Sequence, residues 1–510
     1  MHQVIMVGLR HQKNMVAIIR IGQLEMEDKL YKFLKYYNSS PQFVKLVLGK
    51  LFGAIPLSIR YGQTYEKYAE LLKKSQWWSK EEHEKYQLGK IKAIIKHAYH
   101  NVAYYRKIFD EIGLKPEDIC SFSDFQGIPL LNRDDVINNK HELLASNYAN
   151  SKLIYVTTGG TTGKPIGMYY RKGIERSREL AFMTCQWARV GYKIGDSLVT
   201  IRGNVIPNYL LSKGIFWEYE PIKKRLILSV YHMTDENMPL YIKQIRDFKP
   251  KFIHTYPSAV TMLAIFMKEN AIDPFPSVKA LLCSSEAFYP GQRELIENVF
   301  QCRIYSWYGH GEMTTLAGEC EYSKEYHIFP EYGFTELVDN DGKVIAREEK
   351  IGEIIGTGFE NWAMPFIRYR TGDFAEYSDR ECECGRKYKL FKRVEGRWLQ
   401  EMIVTQKGNL IPITALNMHS DVFDNVKQFQ FYQDREGEVL FKIIPTSSFS
   451  ERDIANIKRE LTRKLAKDIK LEIQLVDEIA RTQRGKYRFL IQKLPVEKMN
   501  WGNYITYNES

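Results

Sequence analysis

Long uninterrupted apolar runs are missing from this sequence. No stretch approaches the roughly 18 apolar residues of a membrane-spanning helix, because Lys45 and Lys50 break the best candidate, Phe43 to Ile59. Cysteine is scarce and odd in number, with 7 in 510 residues, which argues against a secreted disulfide framework and predicts reduced thiols in a cytoplasmic protein. Acidic residues are absent from Met1 to Leu24, where Arg10, Lys13 and Arg20 stand without a small-residue cleavage site. A secretory signal is therefore not expected, and Met26 stands as an alternative start. No long low-complexity tract argues for disorder, and no internal repeat is visible.

What is present suits a large globular protein. Apolar residues make up 44% and aromatics 13% of the chain, enough for packed cores, and the length calls for two or three domains. The surplus charge of +11 favours anionic partners such as nucleotides, coenzyme A or acidic lipid, with an ordinary solvated basic surface the equal alternative. Nucleic acid is not the expected partner.

Residues 1–150 read as an N-terminal helical cap region, with Lys80 to Gly113 dense in helix formers and breaks at Pro116 and Pro129. From Lys152 onward, apolar β-branched runs (Ser197 to Ile201, Lys251 to Thr255, Lys279 to Leu282) alternate with helical stretches (Leu240 to Phe248, Ser258 to Asn270). That alternation predicts an α/β fold, with a large multi-layer α/β domain over residues 151–397. Residues 398–510 read as a small, mobile α+β domain. It holds a hairpin of Gln428 to Tyr432 and Glu438 to Ile444, a helix capped by Ser450 and Asp453 that buries Ile454, Ile457, Leu461 and Leu465, and a strand Leu471 to Val476.

The sharpest local signal is Tyr155-Val-Thr-Thr-Gly-Gly-Thr-Thr-Gly-Lys-Pro165, a strand entering a loop of glycines and hydroxyls that ends in Lys-Pro. Glycines let backbone N–H groups converge on an anion, hydroxyls add donors, and Lys164 adds charge. The spacing is not that of a Walker A loop, so this is a different phosphate loop. Thr158 to Pro165 resembles the pyrophosphate-cradling loop of adenylate-forming enzymes, read in the phenylacetate-CoA ligase family as Ser-Ser-Gly-Thr-Thr-Gly-Lys-Pro, with Gly159 replacing the second serine.

Further segments follow in that family's order, nearest its CapK-like capsule-biosynthesis branch. Ser285-Glu286-Ala287 resembles the segment beside the adenine. Tyr308-Gly309-His310-Gly311-Glu312 resembles Tyr-Gly-x-Thr-Glu, whose glutamate serves magnesium; Gly311 stands where threonine is usual. Arg368-Tyr369-Arg370-Thr371-Gly372-Asp373 resembles the ribose-binding stretch, and a carboxylate at Asp373 can accept from both ribose hydroxyls. Arg393 to Arg397 resembles the domain junction, with Arg397 placed to meet phosphate and Leu399-Gln400 in place of the usual Asp-Asp hinge. Arg481-Thr-Gln-Arg-Gly-Lys486 resembles the loop of the catalytic lysine, here Lys486.

The resemblance implies ATP-binding by Thr158, Gly160, Thr161, Thr162, Gly163, Lys164, Ser285, Glu286, Ala287, Tyr308, Gly309 and Asp373, magnesium at Glu312, and catalysis by Lys486, Glu312 and Arg397. It implies two half-reactions: a carboxylic acid and ATP give an acyl-adenylate, then an acceptor takes the acyl group. Coenzyme A is the leading acceptor and an amino sugar of surface polysaccharide the alternative; a non-catalytic scaffold is the reading of another class. The acyl pocket is expected from Arg202 to Tyr231 and Tyr256 to Val260.

Separately, Cys320-x6-His327 and Cys382-x-Cys384 offer three thiolates and an imidazole, a tetrahedral set for a structural zinc ion. Tyr31 to Arg60 mixes aromatics, leucines and lysines; packing on the body is expected over a peripheral membrane contact, as is a packing role for Trp77 and Trp78. A homodimer is left open.

Overall fold

The computed structural model describes residues 40–494 apart from 41, 56, 159–165, 289–290, 340, 347–349, 396–401, 417–420, 424, 466 and 480–488. Helices dominate up to residue 138: Gln42–Ala54, Leu57–Ser75, Lys80–Asn101, Ala103–Glu111, Phe122–Gln126 and Arg133–Asn138. The helix-rich stretch from Lys80 breaks at Val102, an extended residue that separates Lys80–Asn101 from Ala103–Glu111. Val102, Tyr105 and Phe109 pack into one apolar cluster with Ile91, Ile94 and Ile95, so both helices bury the same stripe across the break. Helix Gln42–Ala54 is anchored by Lys45 on Glu218 at 2.6 Å, while Leu46, Val47 and Leu51 remain exposed. The expected segment from Tyr31 begins outside the described residues. Trp77 is 58% exposed with the Arg386 guanidinium over its ring, so it anchors a cation more than a core.

The strands run β1 (Leu153–Thr157), β2 (Gly167–Arg171), β3 (Leu198–Arg202), β4 (Trp217–Glu220), β5 (Arg225–Ser229), β6 (Phe252–Thr255), β7 (Ala280–Ser284) and β8 (Arg303–Gly309). They continue as β9 (Leu316–Gly318), β10 (Tyr326–Ile328), β11 (Gly333–Val338), β12 (Val344–Ile345), β13 (Ile351–Gly358), β14 (Tyr369–Ser378) and β15 (Leu390–Glu395). β1 and β2 form their own antiparallel pair, and the other strands make one 13-stranded sheet in the order β12-β11-β13-β14-β15-β10-β9-β8-β7-β6-β3-β5-β4.

The middle of that sheet, β5-β3-β6-β7-β8, is parallel. Alternation along its strands assigns each face. Val199, Ile201, Ile253, Leu281 and Ile304 meet helices Met238–Phe248, Pro257–Glu269 and Gln292–Phe300 in one cluster, and Leu198, Phe252, Leu282 and Tyr305 meet Glu175–Ala188 and Leu57–Ser75 in another. The three strand runs and two helices expected from the sequence fall here with ends shifted by a residue or two. β11 to β15 are antiparallel.

β16 (Met402–Val404) and β17 (Leu410–Pro412) form a short pair after this sheet. A second, 4-stranded sheet then runs β20 (Lys470–Leu475), β19 (Glu438–Pro445), β18 (Val426–Arg435), β21 (Leu490–Gln492). Helix Glu451–Lys464 begins at Ser450, whose N–H donates to the Asp453 carboxylate at 2.8 Å. Ile457 and Leu461 are buried on it, whereas Ile454 is only half-buried. No helix among the described residues is long and apolar enough to cross a membrane.

Candidate active site

Tyr308 and Gly309 end β8, and the chain turns through His310 and Gly311 into Glu312. Glu312 is buried; the Tyr369 hydroxyl donates to it at 3.2 Å, His310 Nδ1 lies 3.2 Å away and Arg133 Nη1 3.7 Å away. Burial pushes this carboxyl up, but the His310 hydrogen bond and charge and the Arg133 guanidinium outweigh it and hold the group down to about 2. Glu312 is therefore an anion at neutral pH, a hard oxygen donor of the kind divalent cations take.

Arg133 also donates to Thr158 Oγ1 at 3.1 Å. It opens helix Arg133–Asn138, whose cap Asn132 accepts from the Asp135 N–H at 2.9 Å. One guanidinium thus joins the first residue of the glycine-hydroxyl loop to the acidic residue after β8. Gly311 explains part of this closeness, since a Cβ there would lie 3.2 Å from the Thr158 methyl group. A cavity of about 370 Å³ opens at this point, lined in part by Arg133, Tyr369, Arg370 and Gly372.

Asp373 lies on β14 at an irregularity in its pairing with β13. Glu353 organises the bend: it accepts from Arg370 Nε at 2.9 Å and from the Gly372 N–H at 2.9 Å. Asp373 accepts from the Tyr308 hydroxyl at 3.0 Å. Burial, then the Asp373 charge, raise the Tyr308 pKa well above its usual value, so the phenol stays a donor.

Ser285, Glu286 and Ala287 follow β7. Ser285 adopts a left-handed φ of 74°, a conformation that costs energy for a residue with a side chain. The Glu286 carboxylate accepts from the Ser258 N–H at 2.8 Å and the Ser258 hydroxyl at 3.0 Å, bracing the start of helix Pro257–Glu269. Its side chain is committed to that helix.

The structure therefore brings Thr158 to Glu312 and Tyr308 to Asp373, and puts Ser285 at the neighbouring strand end. Gly160, Thr161, Thr162, Gly163, Lys164, Arg397, Leu399, Gln400 and Lys486 lie outside the described residues. Sequence reading missed Arg133, and it placed His310, Tyr369 and Glu353 in family-like segments without giving them roles. The Asn132-x-x-Asp135 capping pair was the available signal for a helix presenting Arg133 at its first turn.

Cys320, His327, Cys382 and Cys384 converge away from that constellation, their ligand atoms all within 4.8 Å of one another. Cys320 Sγ lies 3.4 Å from Cys382 Sγ, and His327 Nε2 lies 3.2 Å from Cys384 Sγ. Gly385, at a φ of 79°, lets the chain turn back after the Cys-x-Cys pair. The surroundings fit a metal: backbone N–H groups of Tyr322 and Ser323 point at Cys320 Sγ, and His327 Nδ1 faces the Glu325 carbonyl, leaving Nε2 toward the thiols. Hydrogen bonds from Cys320 and His327 hold the Cys384 thiol below its ordinary pKa, while Cys320 and Cys382 are pushed above theirs, so without a metal the negative charge of the cluster rests on Cys384.

The family model of the CapK C-terminal domain matches residues 403–493. Protein CapK of Staphylococcus aureus is 24% identical over 460 residues, which cover 90% of this chain and 99% of CapK. A phenylacetate-coenzyme A ligase of Aromatoleum evansii is 25% identical over 435 residues, covering 81% of this chain and 94% of the ligase. The chain is thus similar along most of its length to CapK and to a phenylacetate-coenzyme A ligase. A similar fold is seen in 2-hydroxyisobutyryl-CoA ligase in complex with 2-HIB-AMP and CoA in the thioesterification state. It superposes with a TM-score of 0.53 at 19% identity, covering 83% of this chain and 92% of that one. The same ligase in the postadenylation state with 2-HIB-AMP gives a TM-score of 0.51 at 20% identity, covering 82% and 93%.

Proposed function

We propose that this protein is an ATP-dependent acid ligase of the adenylate-forming superfamily that forms an acyl-adenylate and then passes the acyl group to coenzyme A. The observation that carries the reading is the Thr158–Arg133–Glu312 constellation beside the Tyr308–Asp373 pair, at the carboxyl end of a parallel sheet. In the first half-reaction a carboxylate oxygen of the acid attacks the α-phosphorus of ATP and the bond to pyrophosphate breaks. Asp373, oriented by Tyr308, accepts from the ribose hydroxyls. Thr158 begins the loop that receives the outer phosphates, and Arg133 adds a cation beside it. Glu312 would hold magnesium, which supplies charge neutralisation for the leaving pyrophosphate. Lys486 is assigned to the charge that builds on the α-phosphate and acyl oxygens.

In the second half-reaction the thiolate attacks the acyl carbon and AMP leaves with the bonding electrons. The small C-terminal domain, residues 398–510, is proposed to rotate about Leu399 and Gln400 between the two. Cys320, His327, Cys382 and Cys384 would hold a structural zinc ion, since four protein ligands leave no open position. A cytoplasmic location accords with these thiols. A second reading concerns the acceptor alone, an amine such as an amino sugar.

Acid-dependent exchange of labelled pyrophosphate into ATP, run on purified protein with a panel of aryl, alkyl and amino acids, tests the first half. Exchange with at least one acid is expected, and none with any acid would overturn the reading. AMP release that depends on thiol rather than amine then decides the acceptor.

A further inference from the structure

Arg202, the last residue of β3, carries a charge that only neutral groups receive among the described residues. It donates to His254 Nε2 at 2.6 Å, to Ser284 Oγ at 3.2 Å and to Ser285 Oγ at 2.7 Å, and its guanidinium lies 4.5 Å from the centre of the Tyr256 ring. An arginine cannot accept, so His254 is the tautomer protonated on Nδ1. Burial first, and then Arg202, keep His254 neutral by holding its pKa well below the ordinary value. A half-buried cation without a counter-ion bears a desolvation cost that an incoming anion offsets.

The location is a ligand site on topological grounds. From β3 the chain passes to β5 on one side and then returns to β6 on the other, so β3 and β6 flank the point where strand order reverses. In open parallel sheets, ligands bind outside the carboxyl ends of the strands at such a point. Below Arg202 on the same face lie Thr200 and His254, paired in register, with the Trp187 and Trp307 rings 5.2 and 5.6 Å from the imidazole. Thr200 Oγ1 and Trp187 Nε1 are buried there without hydrogen-bond partners. The result is a buried aromatic cluster with spare polar atoms, and one cation above it at the strand ends.

Arg202 leans over the ends of β6 and β7, whereas Glu312 lies past the end of β8. The carboxylate that attacks phosphorus belongs beside Glu312, which leaves Arg202 for a different group on the same substrate. We propose that Arg202 is the specificity-determining residue of the acid pocket and selects acids bearing a second carboxylate besides the one that is activated.

The inference rests on the adenylation reading above, and matched pairs of acids separate the two. Pyrophosphate exchange is measured on the full chain with butyrate against succinate, pentanoate against glutarate, and benzoate against isophthalate. The wild type should prefer the dicarboxylate in at least one pair by about 100-fold in kcat/KM, the scale set by a shielded charge pair. In Arg202→Leu that ratio should collapse, and Arg202→Lys, which keeps charge without the planar fork, should retain part of it. The wild-type ratio decides even if a variant does not fold. Exchange that favours the monocarboxylate in every pair, or a leucine variant that slows both acids of a pair equally, overturns the role of Arg202 and leaves adenylation standing. No exchange with any acid overturns both.

Discussion

The Tyr308 hydroxyl donates to the Asp373 carboxylate at 3.0 Å, joining the end of a central parallel strand to the antiparallel strand that carries the proposed ribose contact. The two residues lie on β8 and β14, which are separated in the sheet by β9, β10 and β15. Burial raises the pKa of the Tyr308 phenol, so it stays a donor and holds the orientation of the Asp373 carboxylate.

Asp373→Ala should raise the ATP KM and lower turnover in pyrophosphate exchange, together costing about 1.5 to 3 kcal/mol, the range for a hydrogen bond to a charged group. Tyr308→Phe should cost less, because the carboxylate stays and only its orientation is freed. Steady-state kinetics on both variants check this; an alanine variant with unchanged ATP kinetics refutes the ribose assignment.

Arg133→Gln keeps a polar side chain but removes the cation between Thr158 and Glu312. Exchange kcat/KM for ATP should fall by roughly 10- to 100-fold, the scale of one charge-assisted contact. Melting temperature should change little, since the guanidinium borders a cavity. Equal ATP kinetics in variant and wild type would show the cation to be structural.

Stoichiometric zinc should accompany the purified protein, and Cys382→Ser with Cys384→Ser should abolish it and lower the melting temperature by several degrees. Elemental analysis and thermal denaturation read the two effects separately. A metal-free wild type, or a double variant that melts normally, removes the site.

Lys486→Ala should slow acid-dependent pyrophosphate exchange by about 100-fold or more, the loss expected for one preorganised charge in a shielded site. Transfer from preformed acyl-adenylate to thiol should survive. Equal loss in both half-reactions would contradict a lysine used in one step, and with it the proposed domain rotation.

Legibility followed the range of the interactions involved. The parallel strands were readable because β-branched runs such as Ser197 to Ile201 are buried on both faces and bounded by helical periodicity. The helix Glu451–Lys464 was readable because its cap is four residues long. The antiparallel run from β9 to β15 was not read strand by strand, since its pairings join distant segments such as Tyr326 to Phe391. In the site, the motif residues Glu312 and Asp373 were visible, but Arg133 gains its meaning from Thr158, 25 residues on, and Arg202 from Ser285, 83 residues on. Glu286 shows the reverse case: its motif reads as a nucleotide contact, while its carboxylate is committed to Ser258.

The position of β15 between β14 and β10 sets an order on biosynthesis. Strands β11 to β14 leave the ribosome earlier and pair among themselves, yet they have no hydrogen-bonded seam to the central sheet until residues 390–395 arrive. Cys382 and Cys384 emerge just ahead of that strand, and Cys320 and His327 are already waiting beside β9 and β10. Closing the thiol cluster and joining β14 to β10 therefore both wait for residues 382–395, the last part of the large sheet to be made.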